Sequence, residues 1–353
     1  MEHPDKSAAG EAGIKEIARR LNLSASTVSR ALNGVYGVRA STKALVIETA
    51  KAVGYVPNMG AKQLVGKGSG LIGIFAPVFR GGVHSEYLLN FYDMLQLELH
   101  KFGKDSLIFA IPYEDYPENR LTECVGSRSL EGCIILSPFG QGHPLIEEAL
   151  KLGVPFVNFE SVIGPHCSAI VSDDREGGRI AGRYLLSQGH RCFAYINGPP
   201  KARVSLERWD GFCEALREGG VSQDSVRVLQ GDFSWESGVR AAEELRNSGA
   251  EVTAIFSSND RMATGAIMRL AELGLSVPGD ISVLGYDGDP YTAYLNPPLT
   301  TIRHASDHVS SDVVLRLMEL QQGRSGTSER YPPVLLERKS VAVLTKAHSE
   351  GDT

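Results

Sequence analysis

Cysteine is scarce in this sequence of 353 residues: Cys124, Cys133, Cys167, Cys192 and Cys213 make five, an odd number, with no C-x-x-C pair. That excludes a disulfide framework and a thiolate zinc site, and it reads as reduced thiols. Long apolar runs are missing too. The longest, 71–79, has nine residues and is interrupted by Gly73 and Pro77, too short for a membrane span. The first eleven residues carry charges of both signs and no apolar stretch, so no secretory signal is expected and the cytoplasm is the expected location. The G-x-G-x-G of Gly66, Gly68 and Gly70 precedes the first apolar run instead of following one, and there is no P-loop or G-x-S-x-G elbow. His304 and His308, four apart at the start of an expected helix, lack a third metal ligand. No cofactor, no metal site and no catalytic residue is therefore expected.

What is present is an ordinary globular composition, 42% hydrophobic and 22% charged with a net charge of −6. It excludes a disordered chain and a coiled-coil rod. The length suggests two or three domains. The charge is unevenly placed. Residues 12–68 hold nine lysines and arginines against Glu16 and Glu48, a net +7, which leaves the remainder strongly acidic. A small basic head on an acidic body suits a polyanion, because clustered cations gain from counterion release while the body is repelled.

The head reads as three helices. Ile14, Ile17, Ala18 and Leu21 recur at helical spacing and Asn22 stops the helix. Ser24 is an N-cap for a second helix, 25–32, whose stripe is Val28, Ala31 and Leu32. Two short helices joined by a turn of three or four residues describe a helix-turn-helix, whose second helix enters the major groove N-terminus first. Ala25, Ser26, Thr27, Ser29, Arg30 and Asn33 lie off the stripe. Arg30 is the best reader among them, since its fork matches guanine O6 and N7. A third helix is expected from an N-cap at Ser41 to about Val53, with Leu45, Val46, Thr49, Ala50 and Val53 facing inward and Gly54 stopping it. Asn58 can cap a short helix over 59–65. It is too short to stand alone, and Gly60 weakens it by about 1 kcal/mol, so it is expected to form only on DNA.

The body alternates strand and helix. Strand-length apolar runs fall at 71–76, 106–111, 132–137 and 155–159, then at 169–172, 193–197, 226–229, 252–257 and 281–285. Helical stretches separate the runs within each of these two series, and none is expected between 159 and 169, where the second begins. Such alternation means two α/β layers with parallel sheets covered on both faces, and ligands bind at the C-terminal strand ends. Arg208, Asn259, Asp260 and Asp287 fall at such ends, with Phe233 on a loop. Asp, Asn and Arg together bind vicinal hydroxyls, and an aromatic covers the apolar face of a pyranose or a purine. Asp260 also reads as a helix N-cap, and Asp173 and Asp174 as caps of the helix that follows them.

The strings IKEIARRLNLSASTVSRALNG, TKALVIETAKAVGYVPN and AKQLVGKGSGLIGI, then VSDDREGGRIAG, ERWDGF, GDFSWESG, SSNDRMATGAI, VPGDISVLGYDG and NPPLTTIRH, resemble the lactose/galactose repressor (LacI/GalR) family over about residues 14–343. The resemblance implies a helix-turn-helix head over 12–57, a hinge helix and linker over 58–70, a periplasmic-binding-protein-like effector core over 71–343, and a tail over 344–353. Within the core it implies a first subdomain of about 71–163 plus 296–325 and a second of about 164–295 plus 326–343. It implies recognition by the helix over 24–33, with Ser24, Tyr55 and Asn58 joining the DNA-facing set, and Leu64 wedged into the minor groove at the operator centre. Arg39 departs from the family pattern, where serine often follows the residue at Val38. The resemblance places Arg208, Phe233, Asn259 and Asp287 in the effector pocket, with Glu160 where many members have an aspartate. The region around Pro77, Arg80 and Ser137 matches the family poorly, so effector identity is expected to be decided there.

The expected function is sequence-specific repression of transcription. The expected partners are a palindromic double-stranded operator, a small molecule of the sugar class and a second copy of the chain. No membrane partner is expected. A transport binding protein is opposed by the basic head, and an enzyme by the lack of any nucleophile–base pair.

Overall fold

The computed structural model describes residues 13–32, 37–55, 68–78, 86–304 (backbone alone over 86–90) and 308–344. The chain divides into two units, 1–69 and 70–353.

In the first unit, α1 (Ile14–Leu21) ends on Asn22 in the left-handed region at φ 52°, and Leu23 N–H returns to the Ala18 carbonyl at 2.9 Å. After this three-residue turn α2 (Ala25–Leu32) begins under Ser24, whose Oγ accepts from Thr27 N–H at 3.1 Å. Then comes α3 (Ala40–Ala52). Ile17, Ala18, Val28, Ala31, Val46 and Ala50 form the core, ringed by partly buried Ile14, Leu21, Leu23, Leu32, Val38, Val53 and Tyr55. Two expectations are corrected. The N-cap position of α3 is Arg39, not Ser41. Leu45, expected inside, is 49% exposed. Residue 45 stands about 100° around the helix from Val46, and so small a unit buries only the narrow stripe Val46, Ala50 and Val53.

The second unit holds two six-stranded sheets. Its elements in chain order are β1 (Leu71–Val78), α4 (Glu86–Lys101), β2 (Asp105–Pro112), α5 (Arg120–Arg128), β3 (Gly132–Ile135), α6 (Pro144–Leu152), β4 (Phe156–Asn158), β5 (Cys167–Ser172), α7 (Asp174–Ser187), β6 (Phe193–Asn197), α8 (Arg203–Glu218), β7 (Arg227–Gln230), α9 (Trp235–Ser248), β8 (Ala254–Ser257), α10 (Asp260–Glu272), β9 (Ser282–Asp287), β10 (Thr300–Arg303), α11 (Val309–Gln321), β11 (Ser328–Tyr331) and β12 (Val334–Leu336). The first sheet runs β11-β5-β4-β3-β1-β2 and the second β12-β10-β9-β8-β6-β7. All pairings are parallel except β10 with β12. Each sheet carries an apolar cluster on both faces, as doubly wound layers require.

Sheet membership shifts the expected subdomain boundaries. β5 pairs with β4 and β11 in the first sheet, so the chain crosses after Ser172 and not near 163. β10 pairs with β9 in the second sheet, so the return follows Arg303 and not 295. β11 belongs to the first sheet and β12 to the second, so the last crossing falls between Tyr331 and Val334 and not at 325. The cause is the connection from β4 to β5. Parallel neighbours ordinarily need a helical crossover of a dozen residues or more. Here β4 has three residues, so the eight of 159–166 suffice, and the missing helix resembled a break between lobes.

Candidate functional site

The exposed side of α2 is the head's candidate DNA face. Ala25, Ser26 and Arg30 are exposed, with Thr27 and Ser29 half-buried. Ser24 turns into its own helix: besides capping, its Oγ lies 2.8 Å from Ser26 Oγ and 2.8 Å from Thr27 Oγ1. Tyr55 packs against the head core. On α1, Glu16 accepts from Arg19 and Arg20 at 2.9 and 2.8 Å, and these hydrogen bonds hold its carboxyl down at about 2. Asn33, Asn58, Gly60, Leu64 and Arg80 lie outside the described residues.

In the second unit the C-terminal ends of strands from both sheets bring polar side chains together. The centre is Arg208 on α8, 5% exposed. Its Nε donates to Asp174 Oδ1 at 2.8 Å and its Nη1 to the Ser258 carbonyl at 2.5 Å, with Asp287 Oδ1 at 3.5 Å. The guanidinium lies 3.7 Å from the ring centre of Tyr286, a desolvated cation–π contact. Burial opposes its charge, but Asp174, Tyr286 and Asp287 outweigh burial and hold it cationic. This geometry depends on close approach of α7 and α8. A Cβ on Gly178 would lie 2.1 Å from the Arg208 carbonyl oxygen, and one on Gly211 1.8 Å from that of Arg175.

Asp287 ends β9 at φ 112°, followed by Gly288 at φ 75°. A non-glycine residue there costs about 1–3 kcal/mol, and such strain gathers at ligand sites. Its Oδ1 also meets His304 Nε2 at 3.4 Å, and His304 Nδ1 meets Ser172 Oγ of the first lobe at 2.9 Å. Phe233, at φ 67°, presses its ring on Gly198, where a Cβ would come within 2.2 Å. Asn259 is the N-cap of α10: Oδ1 accepts from Met262 N–H at 2.9 Å and Nδ2 donates to the Phe233 carbonyl at 3.2 Å. It braces the loop that carries Phe233.

The cap is thus Asn259 and not Asp260, the first residue of the helix. Asp260 is fully buried, accepting from Thr301 Oγ1 at 2.6 Å and Asp289 N–H at 2.8 Å. Burial, then the charge of Asp287, pushes its carboxyl well up. Glu160 follows β4 and is 1% exposed. Ser137 Oγ donates to its Oε1 at 2.7 Å and the Arg203 guanidinium to its Oε2. Burial drives its carboxyl up while Arg203 and Ser137 pull it back.

Asp173 is a cap, accepting from Glu176 N–H at 3.1 Å, but Asp174 is the partner of Arg208. Arg203, Asp174, His304 and Ser172 were not foreseen as site residues. Arg203 had a readable signal: it is the first residue of α8, and a cation in a first turn opposes the helix dipole, so it needs another partner. His304 follows β10 instead of opening a helix, and among the described residues no group of three His, Cys, Asp or Glu could hold a metal. Also among them, no helix is long and apolar enough to cross a membrane.

The repressor PurR of Klebsiella pneumoniae is 30% identical over 337 residues, covering 94% of this chain and 97% of that protein. The profile of bacterial regulatory proteins of the lacI family matches residues 13–58. The chain belongs to the LacI family. A periplasmic binding protein-like domain matches residues 183–341 of this LacI-family chain. PurR of Proteus mirabilis is 28% identical over 336 residues, 94% of this chain and 97% of that protein. Among solved structures, the lac repressor dimer bound to operator and the anti-inducer ONPF aligns with a TM-score of 0.80 at 26% identity, over 94% of this chain and all of that one. The complex of the regulator CelR with cellobiose aligns at 0.70 and 25%, over the same shares. As a LacI-family member the chain is a transcriptional regulator and not an enzyme.

Proposed function

We propose that this LacI-family protein is a repressor that binds a palindromic operator as a homodimer and releases or holds it according to a hydroxyl-rich small molecule, of the sugar class, in the cleft between the two lobes of its core. The head is 12–57, the connector 58–70, the core 71–343 and the tail 344–353. Ser24, Ala25, Ser26, Thr27, Ser29, Arg30 and Asn33 belong to the recognition helix and its cap. Tyr55, Asn58 and Leu64 complete the DNA-facing set, with Leu64 at the operator centre. DNA as the partner makes the cytoplasm the working compartment.

The observation that carries the effector reading is the polar cluster at the strand ends. Arg208 and Arg203 face Asp174, Glu160, Glu207 and Asp287, so carboxylates outnumber guanidiniums. Both guanidiniums already donate to the chain, while carboxylate lone pairs remain to accept from ligand hydroxyls. That balance favours a neutral polyol over an anion. Phe233 supplies the apolar surface that a sugar ring stacks on.

The experiment selects an operator from a pool of random duplexes with the purified full-length protein. Binding to it is then titrated with neutral mono- and disaccharides, sugar phosphates and nucleobases. A neutral saccharide that changes operator affinity supports the reading. A response confined to nucleobases overturns the sugar class, one confined to sugar phosphates overturns the neutral ligand, and failure to select any palindrome overturns the repressor reading.

A further inference from the structure

Glu160 and Arg203 come from opposite lobes. Glu160 follows β4 of the first sheet, and Arg203 opens α8, which packs on the second. Neither sits on one of the three segments where the chain crosses between the lobes. Their contact is therefore a closure made without help from the covalent chain. The Ser172–His304–Asp287 bridge differs, because His304 itself lies on a crossing segment.

The guanidinium of Arg203 is placed to read both lobes at once. From the first lobe it meets the Glu160 carboxylate and, at 3.5 Å from Nη2, the Phe159 carbonyl. From its own lobe it meets the Glu207 carboxylate and, at 3.6 Å, Asp174 Oδ2. The side chains are 1% exposed for Glu160 and 21% for Arg203. Ser137 Oγ fills the other oxygen of Glu160. Separating the lobes would take from the buried Glu160 carboxylate its only counter-ion among the described residues, whereas Arg203 would keep Glu207 and Asp174, so the cost of opening falls on Glu160. The surface ion pairs on α7 and α8, such as Arg183 with Glu218, are half-exposed and stay within one lobe, so they carry no such coupling.

We propose that Glu160 and Arg203 form an interlobe latch, by which the core closes its own cleft and sets the closed population on which an effector acts. The effector's part in this rests on the reading of the cleft given above; the latch does not. Arg203 is then a positioning residue for closure, and its neighbours Glu207 and Asp174 keep it aimed at Glu160 when the lobes part.

The test measures lobe separation directly in the full-length protein with no small molecule added. Cys192, the exposed cysteine, lies on the second lobe, and Leu150 is exposed on the first. Nitroxides at Cys192 and at Leu150→Cys, diluted into unlabelled protein, give the interlobe distance by pulsed electron paramagnetic resonance. The latch predicts one narrow distance in the parent. It predicts a second, displaced population in E160Q and in R203M, the same population and no more in the double variant, and parent-like distances in R203K, which keeps the charge. Unchanged distances in both single variants overturn it. So does a double variant that opens further than either single, because the residues then act independently. So does loss of the native circular-dichroism signal in the single variants, which makes the pair a folding element and not a latch. Because no ligand enters the measurement, its failure leaves the effector reading standing, and failure of the saccharide titration leaves the latch standing.

Discussion

Arg208, inside α8 and not at the strand end expected for it, and Asp287, at the end of β9, carry unequal burdens. Arg208 is locked by Asp174, the Ser258 carbonyl and the Tyr286 ring, so its loss would strand a buried carboxylate whatever the ligand does. Asp287 is less enclosed, its side chain 18% exposed, and it is the cleaner probe of the pocket. Asp287→Ala is expected to weaken the saccharide found in the titration screen by about tenfold to a hundredfold, or 1.4–2.7 kcal/mol, in calorimetric titration, with operator affinity unchanged. In the head, Arg30→Ala is expected to cost about 1–3 kcal/mol and to relax preference at one base position per half-site, read from selection on random duplexes. Uniform weakening on every sequence would mark Arg30 as a phosphate contact instead. Asp260 gives a pH prediction. Its folded carboxyl is pushed up by burial, so above pH about 4 the unfolded chain gives up a proton that the folded chain keeps. Stability then falls as pH rises through that window, by about 1.4 kcal/mol per pH unit until the folded group ionises. Asparagine can still accept from Asp289 N–H and donate to Thr301 Oγ1. Asp260→Asn is therefore expected to gain on the parent as pH rises from 4 to 8 in urea unfolding, and a difference that stays constant with pH would refute the assignment.

Among the elements, the pair α7 and α8 decides where the site's charges stand. On propensity alone Gly211→Ala should help α8 by about 1 kcal/mol. The added Cβ would lie 1.8 Å from the Arg175 carbonyl oxygen, which is backbone and cannot swing aside. The steric cost, about 1–3 kcal/mol for overpacking, wins, and the helices must part. Urea unfolding is expected to show net destabilisation, and the effector response to weaken as Arg208 moves off Asp174. Much of this level was legible beforehand, because a strand run or a helical stripe is a local pattern: the runs at 71–76 and 193–197 lie within β1 and β6, and Ser24 does cap α2. Sheet membership was not, since Cys167–Ser172 reads as a strand whichever sheet it joins and only pairing with β4 assigns it. The partners of Arg208 were equally hidden. Asp173 and Asp174 have the same sequence context, and one residue of helix rotation makes the first a cap and the second a buried counterion. Glu160 was marked by its position, but Arg203, 43 residues on, could be paired with it only in three dimensions.

At the scale of the whole molecule, the question is how two heads come to face one palindrome. The first lobe presents an apolar side that nothing among the described residues of the core covers: Met94 and Leu97 on α4 are 48% and 60% exposed, Phe102 just beyond it 49%, and Ile108 on β2 53%. Met94 and Leu97 are three apart and so share a helix face, and β2 is an edge strand of its sheet. An edge strand flanked by exposed Leu, Met and Phe is a liability in a monomer, and pairing two copies about a twofold axis covers it in both. A twofold axis through this lobe would also match the two half-sites of a palindrome. Residues 344–353, LTKAHSEGDT, contain no heptad repeat. The protein is expected to be a dimer by light scattering at micromolar concentration. Leu97→Glu, which puts two like charges against the same axis, is expected to give monomers with unchanged circular dichroism. Operator affinity should then fall steeply, because two heads no longer bind as one body. A variant that stays dimeric would move the interface off this face, and a stable tetramer in the parent would overturn the dimer.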